Sequence, residues 1–167
     1  LHLLSRRQRQ MCIRDSIINV ISAQDMYDAV TEEAKNSDII IKAAAVADYT
    51  PLNVSDNKIK KKDGDMSIAL KRTKDIIGTL GEHKKEGQFI CGFSMETENV
   101  IANSKDKLIK KNMDMIVANN VKVAGAGFGT DTNVVTIITG EDNIELPMMS
   151  KEDVASKILD FIMAKRR

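Results

Sequence analysis

Short apolar runs alternate along the chain with stretches of helical periodicity, and this rhythm constrains the fold more than any other feature. Residues 38–45 (DIIIKAAA), 88–95 (QFICGFSM) and 114–119 (DMIVAN) read as buried strands, each ending in polar or small residues. Between them, Met26, Ala29, Val30 and Ala34 recur at helical spacing in a predicted helix over 23–35, with Ser22 as its N-cap. Further helices are predicted over 73–85 and 99–111, and a closing helix carries Val154, Ile158, Phe161 and Ile162 on one face. The pattern predicts an α/β domain: a Rossmann-like, mostly parallel sheet with helices on both faces.

Two interruptions stand out. The run 17–22 (IINVIS) reads as a further strand. After Ala45 comes a polar stretch broken by Pro51, then KIKKKDGDMSIALKR, two short runs flanking an Asp-Gly turn at Asp63 and Gly64. That reads as an inserted β-hairpin, a candidate flap or oligomer contact. Residues 134–139 (VVTIIT) and 143–147 (NIELP) are expected to form a last strand pair.

With 167 residues, 43% of them hydrophobic, one core-bearing domain is expected. The net charge of +1 gives no global attraction to nucleic acid or anionic membrane, so any anion site must be local. Cys12 and Cys91 belong to no Cys/His cluster, which argues against structural zinc and for a reducing, cytoplasmic setting. No apolar run is long enough to span a bilayer. The basic segment 1–16 has no clear period and reads as a disordered or non-native extension, leaving 17–167 as the domain.

Ligands of open parallel sheets bind outside the carboxyl ends of the strands, which singles out Val46 to Tyr49, Phe93 to Glu96, and Asn119 with Asn120. Lys58, Lys60 and Lys62 would share a strand face, and Lys107 and Lys111 stand one helical turn apart. Such like charges repel unless an anion sits between them, so a polyphosphate is a candidate ligand; a solvated lysine edge is the alternative. The loop holding Gly125, Gly127 and Gly129 matches no dinucleotide fingerprint and precedes a strand, so it is not read as a phosphate cradle. His2 and His83 are isolated.

The segments AAAVADYTP, KIKK, GFSMET, and KLIKKNMDMIVAN followed by FGTDTN, in this order, resemble the phosphopantothenate–cysteine ligase family from about Ile17 onward. The resemblance implies attack of the 4′-phosphopantothenate carboxylate on the α-phosphate of CTP, which expels pyrophosphate and leaves an acyl-cytidylate, with Mg²⁺ bridging the phosphates. The cysteine amine then displaces CMP from the acyl-cytidylate. It places CTP contacts on Ala44, Asp48, Lys58, Lys74, Asp75, Ile76, Ile77, Phe93, Lys107 and Lys111, with Lys58 as a mobile catalytic lid residue and no protein metal ligand. Of these, Asp48, Lys58, Phe93, Lys107 and Lys111 also stand out by pattern alone. The start of the helix at Lys74 to Ile77 has a physical rationale in its free N–H groups. Relatives typically show Asn-Pro-Asp-Ile where this chain has Thr73-Lys74-Asp75-Ile76.

The family's opening phosphate loop and its I-S-N-x-S-S-G segment do not occur here, which implies that the chain is inactive as it stands or needs an upstream portion. The resemblance further implies a homodimer through the hairpin and an upstream decarboxylase domain in bifunctional relatives, where FMN would belong. Two alternatives compete: another Rossmann-like nucleotide-binding domain, and a basic-hairpin module that binds nucleic acid. The near-zero net charge and the lack of aromatic platforms count against the second.

Overall fold

The computed structural model describes residues 16–55, 57–60, 65–95, 99–119 and 130–166. Helix α1 (Ala23–Glu33) opens on Ser22, whose hydroxyl accepts the Asp25 amide while the Asp25 carboxylate accepts the Ser22 amide, a reciprocal cap. Strands β1 (Ile39–Lys42), β2 (Tyr49–Pro51) and β3 (Leu70–Arg72) follow, then α2 (Ile76–Glu82) and β4 (Phe89–Met95). Next come α3 (Val100–Lys110), β5 (Met115–Asn119), β6 (Thr132–Asn133), β7 (Val135–Ile138), β8 (Asn143–Glu145), β9 (Met149–Ser150) and α4 (Lys151–Lys165).

The main sheet has the order β1-β4-β5-β7-β8, with β1, β4 and β5 parallel and β7 and β8 antiparallel to their neighbours. Residue alternation sorts the strand side chains between two cores. Phe89, Cys91, Met115, Val117, Val135 and Ile137 meet Val154, Ile158 and Ile162 of α4 on one face. Ile90 and Ile116 meet Ile76, Ile77 and Leu80 of α2, Leu108 of α3 and Met113 on the other, with Met26, Tyr27 and Val30 of α1 packed alongside. Helices thus cover both faces, as the sequence rhythm predicts. Cys91 is fully buried and its thiol is pushed up to about 12, first by burial and then by the Asp114 charge, so it is chemically quiet in the folded chain.

Helix α3 ends in a Schellman motif. Asn112 takes the left-handed conformation (φ 48°), its amide donates to the Ile109 carbonyl (3.2 Å), and the Met113 amide donates to the Leu108 carbonyl (3.0 Å). Met113 and Leu108 bury together, the apolar contact that accompanies this motif. The tight stop fixes where Lys111 lies and feeds the chain directly into β5.

Two expectations need correction. Residues 17–21 form no strand, and Ile17, Ile18 and Ile21 are exposed, because a β-branched run becomes a strand only where a ladder partner exists. Among the described residues, the run at Lys58 to Lys60 forms no strand; Asp63 and Gly64, with Lys61 and Lys62, lie outside them. The antiparallel pair seen there is Tyr49–Pro51 against Leu70–Arg72, and Pro51 sits at the end of its strand, paired opposite Leu70. The Leu52 amide extends the ladder to the Ala69 carbonyl (2.8 Å), and the Arg72 guanidinium lies 5.4 Å from the Tyr49 ring centre. Lys58 and Lys60 are exposed in irregular chain, so the shared strand face expected for them does not form. The expected last strand pair is present as β7 and β8.

Candidate functional site

The parallel strands β1, β4 and β5 end together, and the chain after β1 is tied to the chain before α2 at that edge. The Thr73 amide donates to the Asp48 carbonyl (3.0 Å), and the Thr73 hydroxyl donates to the Ala47 carbonyl (2.6 Å). This two-point clasp holds the Ala44 to Asp48 loop beside the start of α2. Ala44 and Asp48 are both exposed there.

Asp75 is the N-cap of α2, and its carboxylate does two things at once. One oxygen accepts the Gly78 amide (3.1 Å) and the other lies 2.9 Å from the Lys111 ammonium. Burial pushes the Asp75 carboxyl up, but the Lys111 hydrogen bond, the Gly78 amide, and the charges of Lys111 and Lys42 outweigh it and hold it below its ordinary value. The first turn of α2 therefore already has an anion on it. Sequence reasoning expects free N–H groups at Lys74 to Ile77; the structure shows the Gly78 amide capped by the protein's own carboxylate. Ile76 and Ile77 are 3% and 7% exposed, so their side chains are core and only their backbone could face a ligand. The Lys74 ammonium rests 4.4 Å from the centre of the Tyr27 ring on α1.

Lys107 is exposed on α3, one turn before Lys111, and its carbonyl accepts the Lys111 amide (3.0 Å). The Phe93 side chain is half-buried against the α4-side core, on the opposite face of the sheet from Asp75 and Lys111. Asn119, at the end of β5, accepts from the Asn133 amide nitrogen (3.0 Å); Asn120 and Glu96 lie outside the described residues. Asp48, Asp75 and Lys111 thus come together, Lys107 stands one turn from Lys111, and the Phe93 side chain lies on the other face of the sheet.

One residue of this cluster was missed by sequence reasoning. Lys42, the last residue of β1, is half-buried, and its ammonium is lowered first by burial and then by the Lys111 charge, against the opposing pull of Asp75 and Asp48. Its signal was in plain view: it is the single charge within IIIKAAA. A cleft of about 440 Å³ lies elsewhere, between α1 and α2 near the start of β4, lined by Tyr27, Thr31, Thr79, His83 and Gln88. Two of its polar side chains bond within the protein: Gln88 donates to the Ala34 (2.8 Å) and Ser37 (2.7 Å) carbonyls, and His83 Nδ1 lies 2.9 Å from the Thr79 carbonyl oxygen. Among the described residues, no three His, Cys, Asp or Glu side chains group to hold a metal ion, and no helix is long and apolar enough to cross a membrane.

Residues 6–165 match the family described as "DNA/pantothenate metabolism flavoprotein C-terminal domain". The chain is 53% identical over 148 residues to the coenzyme A biosynthesis bifunctional protein CoaBC of Bacillus subtilis (strain 168), covering 88% of this chain and 36% of that protein. It is 46% identical over 149 residues to a cysteine/cysteine sulfinic acid decarboxylase of an unknown prokaryotic organism, covering 89% of this chain and 42% of that one. The crystal structure of the C-terminal domain of a CoaBC protein superposes with a TM-score of 0.69 at 44% identity, over 89% of this chain and 66% of that one. The chain thus spans well under half the length of these two curated relatives.

Proposed function

Because this chain belongs to the DNA/pantothenate metabolism flavoprotein C-terminal domain family, we propose that it serves coenzyme A biosynthesis as a phosphopantothenate–cysteine ligase domain. Its substrates are CTP, 4′-phosphopantothenate and cysteine, and the reaction runs through an acyl-cytidylate. The observation that carries the reading is the gathering of Lys42, Asp75 and Lys111, flanked by Asp48 and Lys107, at the carboxyl end of the parallel strands. Activation of a carboxylate by a nucleoside triphosphate needs charge neutralisation and alignment more than a strong base, and a cluster rich in lysine supplies that. Magnesium carried by the triphosphate would add to that charge neutralisation.

Lys58 is the lid residue in this reading, on the exposed segment between β2 and β3, and Ala44 and Phe93 border the base. FMN belongs to an upstream decarboxylase domain, consistent with the bifunctional naming of the Bacillus relative. The setting is cytoplasmic. Nucleic-acid binding through the hairpin is the reading this one displaces.

Calorimetry of the chain with CTP and magnesium, with ATP and a random oligonucleotide as competitors, is the test. CTP should bind selectively, and Lys107→Ala and Lys111→Met should each weaken it about tenfold, the cost of one charged contact. Binding of the oligonucleotide alone would end the ligase reading.

The flap also gives this proposal its quaternary state. Tyr49, Leu52, Val54, Ile59, Ile68 and Leu70 are all at least half exposed, an apolar concentration that ordinarily marks a contact surface. A homodimer joined through this flap should sediment at twice the chain mass, and Ile68→Asp should shift it to monomer. Sedimentation of the unsubstituted chain as a monomer at tens of micromolar would remove the dimer from the proposal.

A further inference from the structure

Lys42 pairs in register with Gly92 across the parallel β1–β4 ladder, so the two residues face the same side of the sheet. A side chain built on Gly92 would meet Met113 and Ile77, which fixes that side as the one covered by α2 and α3. Lys42 therefore rises between the start of α2 and the end of α3, where Asp75 and Lys111 form their 2.9 Å pair. Two ammonium groups share one carboxylate there. For stability alone, the last residue of a strand facing a core would be better apolar than a half-buried lysine beside another lysine.

A phosphate bound at this edge would draw Lys111 toward itself and leave the Asp75 carboxylate facing an anion. That arrangement is repulsive unless a second cation takes the carboxylate over. We propose that Lys42 is a positioning residue of the nucleotide site: it holds Asp75 when Lys111 turns to the phosphates, so that α2 keeps its cap and the site keeps its charge balance. The inference deepens the reading of this edge as a triphosphate site and rests on it. Its handover step, however, can be read without nucleotide.

The groups facing Asp75 are Lys42 from β1, Lys111 from the end of α3 and the Gly78 amide of its own helix; Asp48 faces Lys42 from the loop after β1, and Lys74 is turned onto Tyr27. Carbon-detected NMR of the Asp75 carboxyl against pH, in the chain and in Lys111→Met, Lys42→Met and the double variant, reads the handover. Lys111→Met should keep the Asp75 midpoint below its ordinary value, because Lys42 replaces the lost partner. The double variant should raise its proton affinity about tenfold above that of Lys111→Met. A Lys111→Met midpoint equal to that of the double variant would overturn the proposal.

The nucleotide arm separates the two readings. Lys42→Met should weaken CTP–magnesium binding about tenfold, Lys42→Arg should restore it, and in an Asp75→Asn background Lys42→Met should be silent. Equal losses with and without the Asp75 charge overturn the positioning role. No CTP binding by the unsubstituted chain overturns the nucleotide reading instead, and the Asp75 titration still decides the handover.

Discussion

Gly81→Ala should destabilise the chain by about 3 kcal/mol, lowering its melting temperature by about 10 °C, although alanine is the better helix former. Helix propensity favours the substitution by only about 1 kcal/mol. Against that, a Cβ on Gly81 would stand 1.9 Å from the Lys111 carbonyl oxygen and 2.8 Å from its carbonyl carbon. Neither is the tip of a flexible side chain. The carbonyl belongs to the C-cap of α3, locked by the Schellman bonds, and the Asn112 side chain donates to the Gly81 carbonyl at 2.9 Å from the same turn. Relief would require moving α2 off the end of α3. Gly78→Ala is the control, since its Cβ meets the rotatable Asp75 carboxylate at 2.8 Å, and its cost should be smaller and fall on the Lys111 pair. Thermal melts of both variants decide the matter, and an unchanged Gly81→Ala melt would mean that the α2–α3 contact is looser than described.

Asp114→Ala is expected to cost about 3 kcal/mol, and to do so by unfolding rather than by loss of ligand contacts. Asp114 opens the DMIVAN run, part of one of the segments that carry the family resemblance. Its carboxylate accepts the amide of Ile90 at 2.7 Å and the ammonium of Lys84 at 2.6 Å, while its own amide donates to the Ile90 carbonyl at 3.0 Å. Ile90 is wholly buried and the Lys84 side chain is only 16% exposed, so truncation strands a buried N–H and a cation with little water around it. Asp114→Asn keeps an acceptor for Ile90 and should lose about half as much. Urea unfolding of the two variants measures the difference. If Asp114→Ala instead left stability intact and abolished CTP binding, the residue would belong to the site after all.

The layered architecture was legible because each of its determinants is local and periodic. DIIIKAAA, QFICGFSM and DMIVAN became the three parallel strands β1, β4 and β5, and Val154, Ile158 and Ile162 became the buried stripe of α4. Ser22 capped α1 as expected, since a hydroxyl one residue before a helix needs only its own turn to find a partner. The strand reading of residues 17–22 failed because ladder bonds require a neighbour that periodicity does not supply. The hairpin register slipped outward for a related reason: an Asp-Gly pair marks a turn, but pairing is settled by which residues can form a ladder, here Tyr49–Pro51 with Leu70–Arg72.

For the candidate site, the sequence by itself supplied residue types and a rough place: Asp48 just after a strand, Lys107 and Lys111 one helical turn apart, and Asp75 through the family resemblance. Motif spacing could not say which way each side chain points. Tertiary structure sent Ile76 and Ile77 into the core, turned Phe93 to the α4 side and set Lys74 on Tyr27. It also brought Lys42 to Asp75 and Lys111 across separations of 33 and 69 positions along the chain. Burial and facing depend on partners far away in sequence, so they are fixed only when β1, α2 and α3 pack, and the charge balance of the site is a property of that packing.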